Sequence, residues 1–197
     1  MNKGRLEGFS DGVIAVSLTL MLYQLEVPAD FTLNGLWQQA PTFFGYVLSF
    51  IYVGIYWSNH HHMFQLVGGI NGRIMWANLH LLFWLTMIPL STTWAGKSGF
   101  LAFPTALYAF VLFMCAVAYW VLERTVIASE GADSVLARTV GKDLKRKVSL
   151  PVYALAIACS FYSSFLAFAI LTAMAVLWFV PDAKIEREVL GQHADEP

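Results

Sequence analysis

Charged side chains are scarce in this sequence: Asp, Glu, Lys and Arg make up 13% of its 197 residues, whereas 58% of the residues are hydrophobic. Soluble domains carry about 25% charged residues, so this composition is typical of a membrane protein. Cysteine is also nearly absent, and its two copies, Cys115 and Cys159, lie within apolar runs. Their placement argues against a structural disulfide and against a zinc site.

The sequence lacks the patterns that are typical of several classes of function. The net charge is −1, and no basic patch with interleaved aromatic residues lies outside the loops, so we expect no nucleic-acid partner. The apolar runs contain neither a nucleophile–base pair nor a glycine-rich phosphate loop, and we therefore predict that the protein is not an enzyme. No internal repeat is visible, which favours a single unit over residues 1–197.

Long apolar runs predict several membrane-spanning helices, each of which needs roughly 20 residues. The first four predicted spans cover residues 7–25, 42–65, 74–94 and 103–128. The last apolar stretch, 148–180, is too long for one span, and a polar break at 160–164 would divide it in two. That division needs a fifth helix that begins back at 145–147, where the lysines can snorkel. The prediction is an all-α polytopic membrane protein with six transmembrane helices, and five is the competing count.

The loop charges favour six spans over five. With six spans and a cytoplasmic N-terminus, eleven of the twelve Lys and Arg residues lie in cytoplasmic segments, and only Lys97 lies outside. This asymmetry follows the positive-inside rule. It predicts a multi-pass inner-membrane protein with both termini in the cytoplasm. A cytoplasmic loop would then cover residues 129–144, and a cytoplasmic tail with a short charged helix would cover 181–197.

The first predicted helix presents two different surfaces. Positions spaced by three and four residues lie on one face of a helix, and here they are Phe9, Gly12, Val16, Thr19 and Tyr23. Asp11 lies about 200° around the helix from Phe9, so we expect a buried carboxylate that points toward the other helices. The spacing leaves two interpretations of the stripe open. The stripe forms a functional surface, or it only packs against a neighbouring helix, as small residues commonly do.

The histidines give a further candidate site. His60, His61 and His62 point in three directions about 100° apart on a helix, so they cannot all bind one metal ion from that helix. His80 is the remaining candidate at depth in the membrane. We expect no metal and no cofactor, and a histidine-based metal or haem protein stays as an alternative.

A structural role for the histidines is the favoured interpretation. We expect His60 or His61 to pair with Asp11 or Ser10 and to form a buried polar cluster with Asn78. Lipid cannot satisfy such polar groups, so they must satisfy one another within the protein. A cluster of this kind would hold the first helix in register against the second and third.

Four groups of residues carry a resemblance to one family. The first is the string Arg5-x-x-x-Phe9-Ser10-Asp11. The others are Trp57 with His60, His61 and Phe64, then Asn78 with Pro89 and Leu90, and finally Trp178 and Phe179 with Pro181 and Asp182. At these positions the sequence resembles the prokaryotic form of the transmembrane protein 175 potassium channels. The first string is the most specific of the four.

The resemblance implies a homotetramer of six-span subunits whose first helices line a pore without a selectivity-filter loop. It places pore rings five, eight and twelve residues after Asp11, at Val16, Thr19 and Tyr23, on the same face as Gly12. Relatives usually have Ile or Leu at the first ring and Leu at the third, so Val16 is smaller here and Tyr23 is larger. The remaining signature residues would position the helices, with Arg5 bridging subunits: Arg5, Phe9, Ser10, Asp11, Trp57, His60, His61 and Asn78.

Elementary chemistry agrees with such a pore. The sequence contains no Thr-Val-Gly-Tyr-Gly string, which excludes a carbonyl-lined filter of the usual kind. An apolar ring can gate by dewetting, and a hydroxyl ring at Thr19 could replace part of an ion's hydration shell. We therefore predict a potassium-preferring channel for monovalent cations, embedded in membrane lipid. A secondary transporter is the other alternative, but it would need an internal repeat and broken helices that this sequence lacks.

Overall fold

The computed structural model describes residues 2–131, 133–140 and 144–179, and all regular structure in these ranges is helical. In chain order the helices are α1 (Lys3–Tyr23), α2 (Leu33–Gln38), α3 (Ala40–Gln65), α4 (Gly72–Lys97), α5 (Ala102–Glu130), α6 (Val135–Val140), α7 (Leu144–Ser160) and α8 (Ser164–Phe179). This confirms the predicted all-α class.

Four of the described helices, α1, α3, α4 and α5, are long and apolar enough to cross a membrane. They correspond to the first four predicted spans, and each begins and ends within a few residues of the predicted limits. The helix α1 begins earlier than predicted because the side chain of Asn2 accepts a hydrogen bond from the amide of Gly4 and caps the first turn. The polytopic membrane character is therefore confirmed.

The last apolar stretch forms two helices, α7 of 17 residues and α8 of 16 residues. Between them the chain turns at residues 161–163, within the predicted break, and the Ser163 hydroxyl accepts a hydrogen bond from the amide of Leu166 in the first turn of α8. The predicted loop 129–144 contains the last residues of α5 and the six-residue helix α6. The predicted tail 181–197 lies outside the described residues.

The centre of the bundle is α4, which packs against α1, α3 and α5, while α5 also packs against α7. Fully buried aliphatic side chains fill the middle of this bundle, including Leu81, Leu85 and Leu112. Polar contacts join the same helices: the Ser49 hydroxyl lies 2.7 Å from the Thr92 hydroxyl and 2.9 Å from the Tyr108 hydroxyl. A buried hydroxyl without a partner is costly, so these bonds also fix which faces of α3, α4 and α5 meet.

Hydrogen bonds of charged side chains tie the chain together at both ends of the bundle. At the end where α1 begins, Lys3 donates a hydrogen bond to the Gln65 carbonyl, and the Glu130 carboxylate accepts one from the amide of Gly68. We call this the N-terminal end. At the opposite end, which we call the far end, Lys97 donates to Glu26, and this hydrogen bond together with the positive charge lowers the pKa of the Glu26 carboxyl.

Helices α3 and α4 approach each other closely at the far end because Gly96 has no side chain. A methyl group at this position would place its carbon 2.7 Å from the Cα of Thr42, which belongs to the backbone of α3. Such a backbone atom cannot move aside as the end of a flexible side chain can.

We predict that Gly96→Ala pushes α3 and α4 apart and destabilises the protein by about 1–3 kcal/mol, as overpacking in a core usually does. Thermal unfolding in detergent measures the effect. Gly54→Ala, also within a long helix, is the matched control, since a methyl group there meets nothing within 4 Å. An equal loss of stability in the two variants would show that the close contact at Gly96 is not the cause.

The first helix as the candidate functional site

The helix α1 has one covered face and one uncovered face. The covered face packs against α3 and α4, and its buried residues are Leu6, Ser10, Ile14, Ser17 and Met21. These positions repeat every three or four residues, which is the spacing of a single helix face. The rotation of α1 about its own axis is therefore set by this row.

The stripe singled out in the sequence lies on the uncovered face. Phe9 is 53% exposed, Val16 58% and Tyr23 86%, and Gly12 and Thr19 are exposed as well. No other described part of the chain covers these residues, so the stripe does not pack against a helix of its own subunit. The Thr19 hydroxyl donates to the carbonyl of Ala15 at 3.0 Å, which leaves its oxygen able to accept from outside the helix.

A chain of hydrogen bonds holds the covered face. His60 Nε2 on α3 lies 2.8 Å from Asn78 Oδ1 on α4, and Asn78 Nδ2 donates to Ser10 Oγ on α1 at 2.9 Å. The Ser10 hydroxyl in turn donates to the carbonyl of Leu6 at 2.9 Å. All three polar residues are buried. The chain therefore connects three helices through groups that lipid could not satisfy.

Each link in this chain has a definite direction. The Asn78 amide nitrogen is the donor to Ser10, so the Asn78 oxygen faces His60 and can only accept. His60 must then carry its proton on Nε2. Its ring stacks on Phe64, with the centroids 4.4 Å apart, and this contact fixes the ring plane. The last acceptor is a carbonyl of α1 itself.

Asp11 does not join this buried chain. Its side chain is exposed and accepts a hydrogen bond from Trp57 Nε1 at 2.9 Å, so the expectation of a buried carboxylate was wrong. The expected buried polar cluster with Asn78 is present and contains His60 and Ser10. The expected direct pairing of a histidine with Asp11 or Ser10 was wrong, because His60 reaches Ser10 only through Asn78. The reason is geometric: position 11 lies at the edge of the uncovered arc of α1, beside α3.

The signature residues therefore divide into a buried group and an exposed group. In the exposed group the Trp57 ring stacks on His61 at 6.1 Å, and His61 Nε2 lies 3.0 Å from the side-chain nitrogen of Gln65. Arg5 is exposed on the first turn of α1, and among the described residues no carboxylate lies within ion-pair distance of it. This group borders the uncovered face and is available to a second molecule.

His80, on α4, has a hydrogen-bond partner within its own helix. His80 Nε2 accepts a hydrogen bond from Trp84 Nε1 at 3.0 Å, one turn along α4. In the described part of the chain, no group of three His, Cys, Asp or Glu side chains is arranged to hold a metal ion. His60, His61 and His80 thus make hydrogen bonds to Asn78, Gln65 and Trp84, respectively.

One buried charged residue was not anticipated from the sequence. Glu123 on α5 is only 2% exposed and lines a cavity of about 60 Å³ with Tyr56, Tyr119, Ser149 and Trp178. The available signal was a carboxylate inside a predicted span, where ionisable residues are rare. It was overlooked because it stands beside Arg124 near the end of a long apolar run, and two adjacent charges barely change the mean hydropathy of such a run.

Together these features define a class: an all-helical, multi-pass membrane protein whose first helix is held by buried polar bonds and leaves one face uncovered. The comparisons with known proteins narrow this class to a family. The model of the endosomal/lysosomal potassium channel TMEM175 family matches residues 5–89. A potassium channel of Chryseobacterium sp. (strain P1-3) is 46% identical over 189 residues, which cover 96% of this chain and 98% of the relative. The chain therefore belongs to the TMEM175 family, which confirms the resemblance seen in the sequence.

Two further comparisons agree. A potassium channel of Streptomyces collinus is 34% identical over 136 residues, which cover 62% of this chain and 65% of that protein. The crystal structure of a lysosomal potassium-selective channel TMEM175 homologue from Chamaesiphon minutus superposes with a TM-score of 0.78. It covers 89% of this chain and 95% of that chain at 24% identity. At this identity the superposition shows that the fold is shared.

We predict that Asn78→Ala destabilises the protein, because it leaves the buried His60 Nε2 without its acceptor, while Ser10 keeps its bond to the Leu6 carbonyl. A buried polar group left unpaired should cost about 1–3 kcal/mol. Thermal unfolding in detergent measures the loss. Asn59→Ala is the matched control, because the Asn59 side chain donates only to the carbonyl of Ile55 within its own helix. Equal effects of the two substitutions would mean that the bridge between helices contributes nothing beyond an ordinary amide.

Proposed function

We propose that this protein is a potassium-preferring cation channel in which four subunits place their α1 helices around a common axis. The observation that carries the proposal is the uncovered stripe of α1, held in a defined rotation by Ser10, Asn78 and His60. Membership of the TMEM175 family and the relatives described as potassium channels support it. A family of ion channels also accounts for the absence of enzymatic motifs, and the protein is not an enzyme.

In this proposal the stripe supplies the pore lining without a filter loop. Gly12 leaves space, Val16 forms an apolar ring that can exclude water when narrow, and Thr19 offers hydroxyl oxygens to a passing ion. Tyr23, at 86% exposure, stands at the far end of the stripe. Such a lining carries no carboxylate ring, so it would favour monovalent cations through partial dehydration rather than through charge. Conduction then needs no cofactor.

We also infer that α7 and α8 cross the membrane, so that each subunit has six spans. At 1.5 Å per residue they are about 26 and 24 Å long, slightly short of a hydrocarbon core of about 30 Å. Exposed Lys147 near the start of α7 can snorkel to the interface, and local bilayer thinning absorbs the remainder at modest cost. The packing of α7 against α5 supports this placement.

The distribution of charge supports a cytoplasmic N-terminal end. Lys3, Arg5, Arg73 and Arg124 lie at or near this end, whereas the far end has Lys97, which is paired with Glu26. The positive-inside rule orients the helices accordingly, with the N-terminus in the cytoplasm. An even number of spans would return the C-terminus to the same side. In a bacterial cell the membrane would be the inner membrane.

We predict that Val16→Ala raises potassium flux through purified protein in liposomes, because a wider and less apolar ring is easier to wet. If the substitution lowers the free-energy barrier to ion passage through the ring by about 1.4 kcal/mol, the flux rises about tenfold. Flux of potassium and of sodium is measured side by side with a fluorescent indicator. Flux should not saturate at high ion concentration, as a transporter's would.

The matched control is Val176→Ala on α8, since Val176 is 63% exposed and Val16 is 58% exposed. The control also replaces an exposed valine by alanine, but on α8, which is far from α1 in the sequence. Unchanged flux in Val16→Ala would exclude Val16 from the constriction. Equal increases in both variants would point to a general loosening of the protein instead of a pore on α1.

We predict that Asp11→Asn weakens assembly or gating and leaves the potassium-to-sodium ratio unchanged. The substitution removes the charge that strengthens the hydrogen bond from Trp57, and charged partners make such bonds roughly twice as strong. Native mass spectrometry gives the fraction of tetramer, and liposome flux gives the ratio. Trp57→Phe deletes the donor and should weaken assembly in the same way. A changed ratio with intact tetramers would contradict this assignment.

A further inference from the structure

A basic groove lies near the N-terminal end, between the start of α4 and the last turns of α5. Its volume is about 800 Å³. The residues that define its chemistry are Asn71, Arg73, Trp120, Arg124, Thr125 and Ser129. The remaining lining residues are small or apolar, and none of them is a carboxylate. The groove is therefore positive, open and separate from the uncovered stripe of α1.

Both arginines of the groove have free donor groups. Their side chains are exposed, and among the residues that the structure describes no carboxylate lies within ion-pair distance of either. The guanidinium carbon of Arg124 lies 5.8 Å from the centre of the Trp120 ring. This cation–π contact holds the guanidinium group over the ring and leaves its N–H edge available. A planar fork of this kind matches a phosphate group.

The start of α4 adds to the positive potential. Asn71 caps this helix by accepting from the amide of Ile74 at 3.0 Å, and its side-chain nitrogen donates to the Ser129 hydroxyl at 2.9 Å. The cap thus ties α4 to α5 within the groove. The first amides of a helix have no partner within the helix, and the helix dipole favours an anion there.

The position of the groove indicates which anion it meets. Arg124 lies six residues before the end of α5, about 9 Å along the helix axis. Trp120 is exposed one turn further in, and tryptophan is enriched at the depth of the lipid headgroups. A groove that combines arginines with an exposed indole is therefore suited to a headgroup phosphate on one side and an acyl chain on the other.

We propose that this groove binds an anionic glycerophospholipid, with its phosphate between Arg73 and Arg124 and its first acyl carbons against Trp120. The inference does not depend on conduction, because lipid binding is measured without ion flux. It assigns these two arginines a role beyond the orientation of the protein in the membrane.

The test uses native mass spectrometry of the delipidated full chain in detergent, titrated with phosphatidylglycerol or with phosphatidylcholine of the same acyl chains. Phosphatidylglycerol should bind more tightly than phosphatidylcholine. Arg73→Gln and Arg124→Gln should each weaken phosphatidylglycerol binding about fivefold, the usual contribution of one basic residue at an anionic surface. Arg138→Gln on α6 is the matched control, since Arg138 is also exposed and its replacement removes the same charge.

Several outcomes would overturn the proposal. Binding that is unchanged in both groove variants, or weakened equally by Arg138→Gln, would show that the groove is not the site. Displacement of the lipid by millimolar inorganic phosphate would show that the groove recognises free phosphate. Arg124→Lys keeps the charge but loses the planar fork, so it should lie between the wild-type protein and Arg124→Gln. Because the lysine variant conserves the charge, it also tests the proposal if the glutamine variants fold poorly: weaker phosphatidylglycerol binding than in the wild-type protein supports the groove, and unchanged binding contradicts it.

Discussion

The whole arrangement depends on the requirement that polar groups inside a bilayer find partners within the protein. The side-chain nitrogen of Asn78 meets this requirement only when α1 has one particular rotation against α3 and α4, because it donates to the Ser10 hydroxyl. A rotation by one residue, about 100°, would separate Ser10 from Asn78 and leave the Asn78 amide nitrogen without its acceptor. The positions of the polar side chains of Ser10, Asn78 and His60 thus decide which residues of α1 stay uncovered.

The same constraint explains why the uncovered face can be irregular. Because the rotation of α1 is determined on its covered side, Gly12, Val16, Thr19 and Tyr23 need not pack against anything in their own subunit. They are free to differ in size and polarity, and here they range from a glycine to a tyrosine. Replacement of a residue here changes the shape of the uncovered surface without disturbing the bonds that hold the helix.

Periodicity and length predicted much of the fold. Four spans, the break near Ser163 and the stripe on α1 all follow from apolar runs, polar interruptions and a repeat of 3.6 residues. The buried cluster of His60, Asn78 and Ser10 was predicted, but its exact bonds were not. The bond between Trp57 and Asp11 was not predicted either, because these residues are far apart in sequence and meet only after the helices pack. The exposure of Asp11 was missed for a related reason: a residue at the edge of a helix face can lie inside or outside, and only the neighbouring helix decides. The short helix α6 and the buried Glu123 carry too weak a local signal to be predicted from periodicity.

The hydrogen bond from Ser10 back to the Leu6 carbonyl also bears on how the protein enters its membrane. Ser10, Ser17 and Thr19 each donate to a carbonyl four residues earlier in α1, so their hydroxyl protons are satisfied before any other helix exists. His60 and Asn78 can likewise satisfy each other within the hairpin of α3 and α4. During synthesis, α1 could therefore enter the bilayer as one unit with its hydroxyl protons already bonded. The hairpin of α3 and α4 could enter as a second unit. The bond between Asn78 and Ser10 would then form last, when the two elements meet sideways in the bilayer.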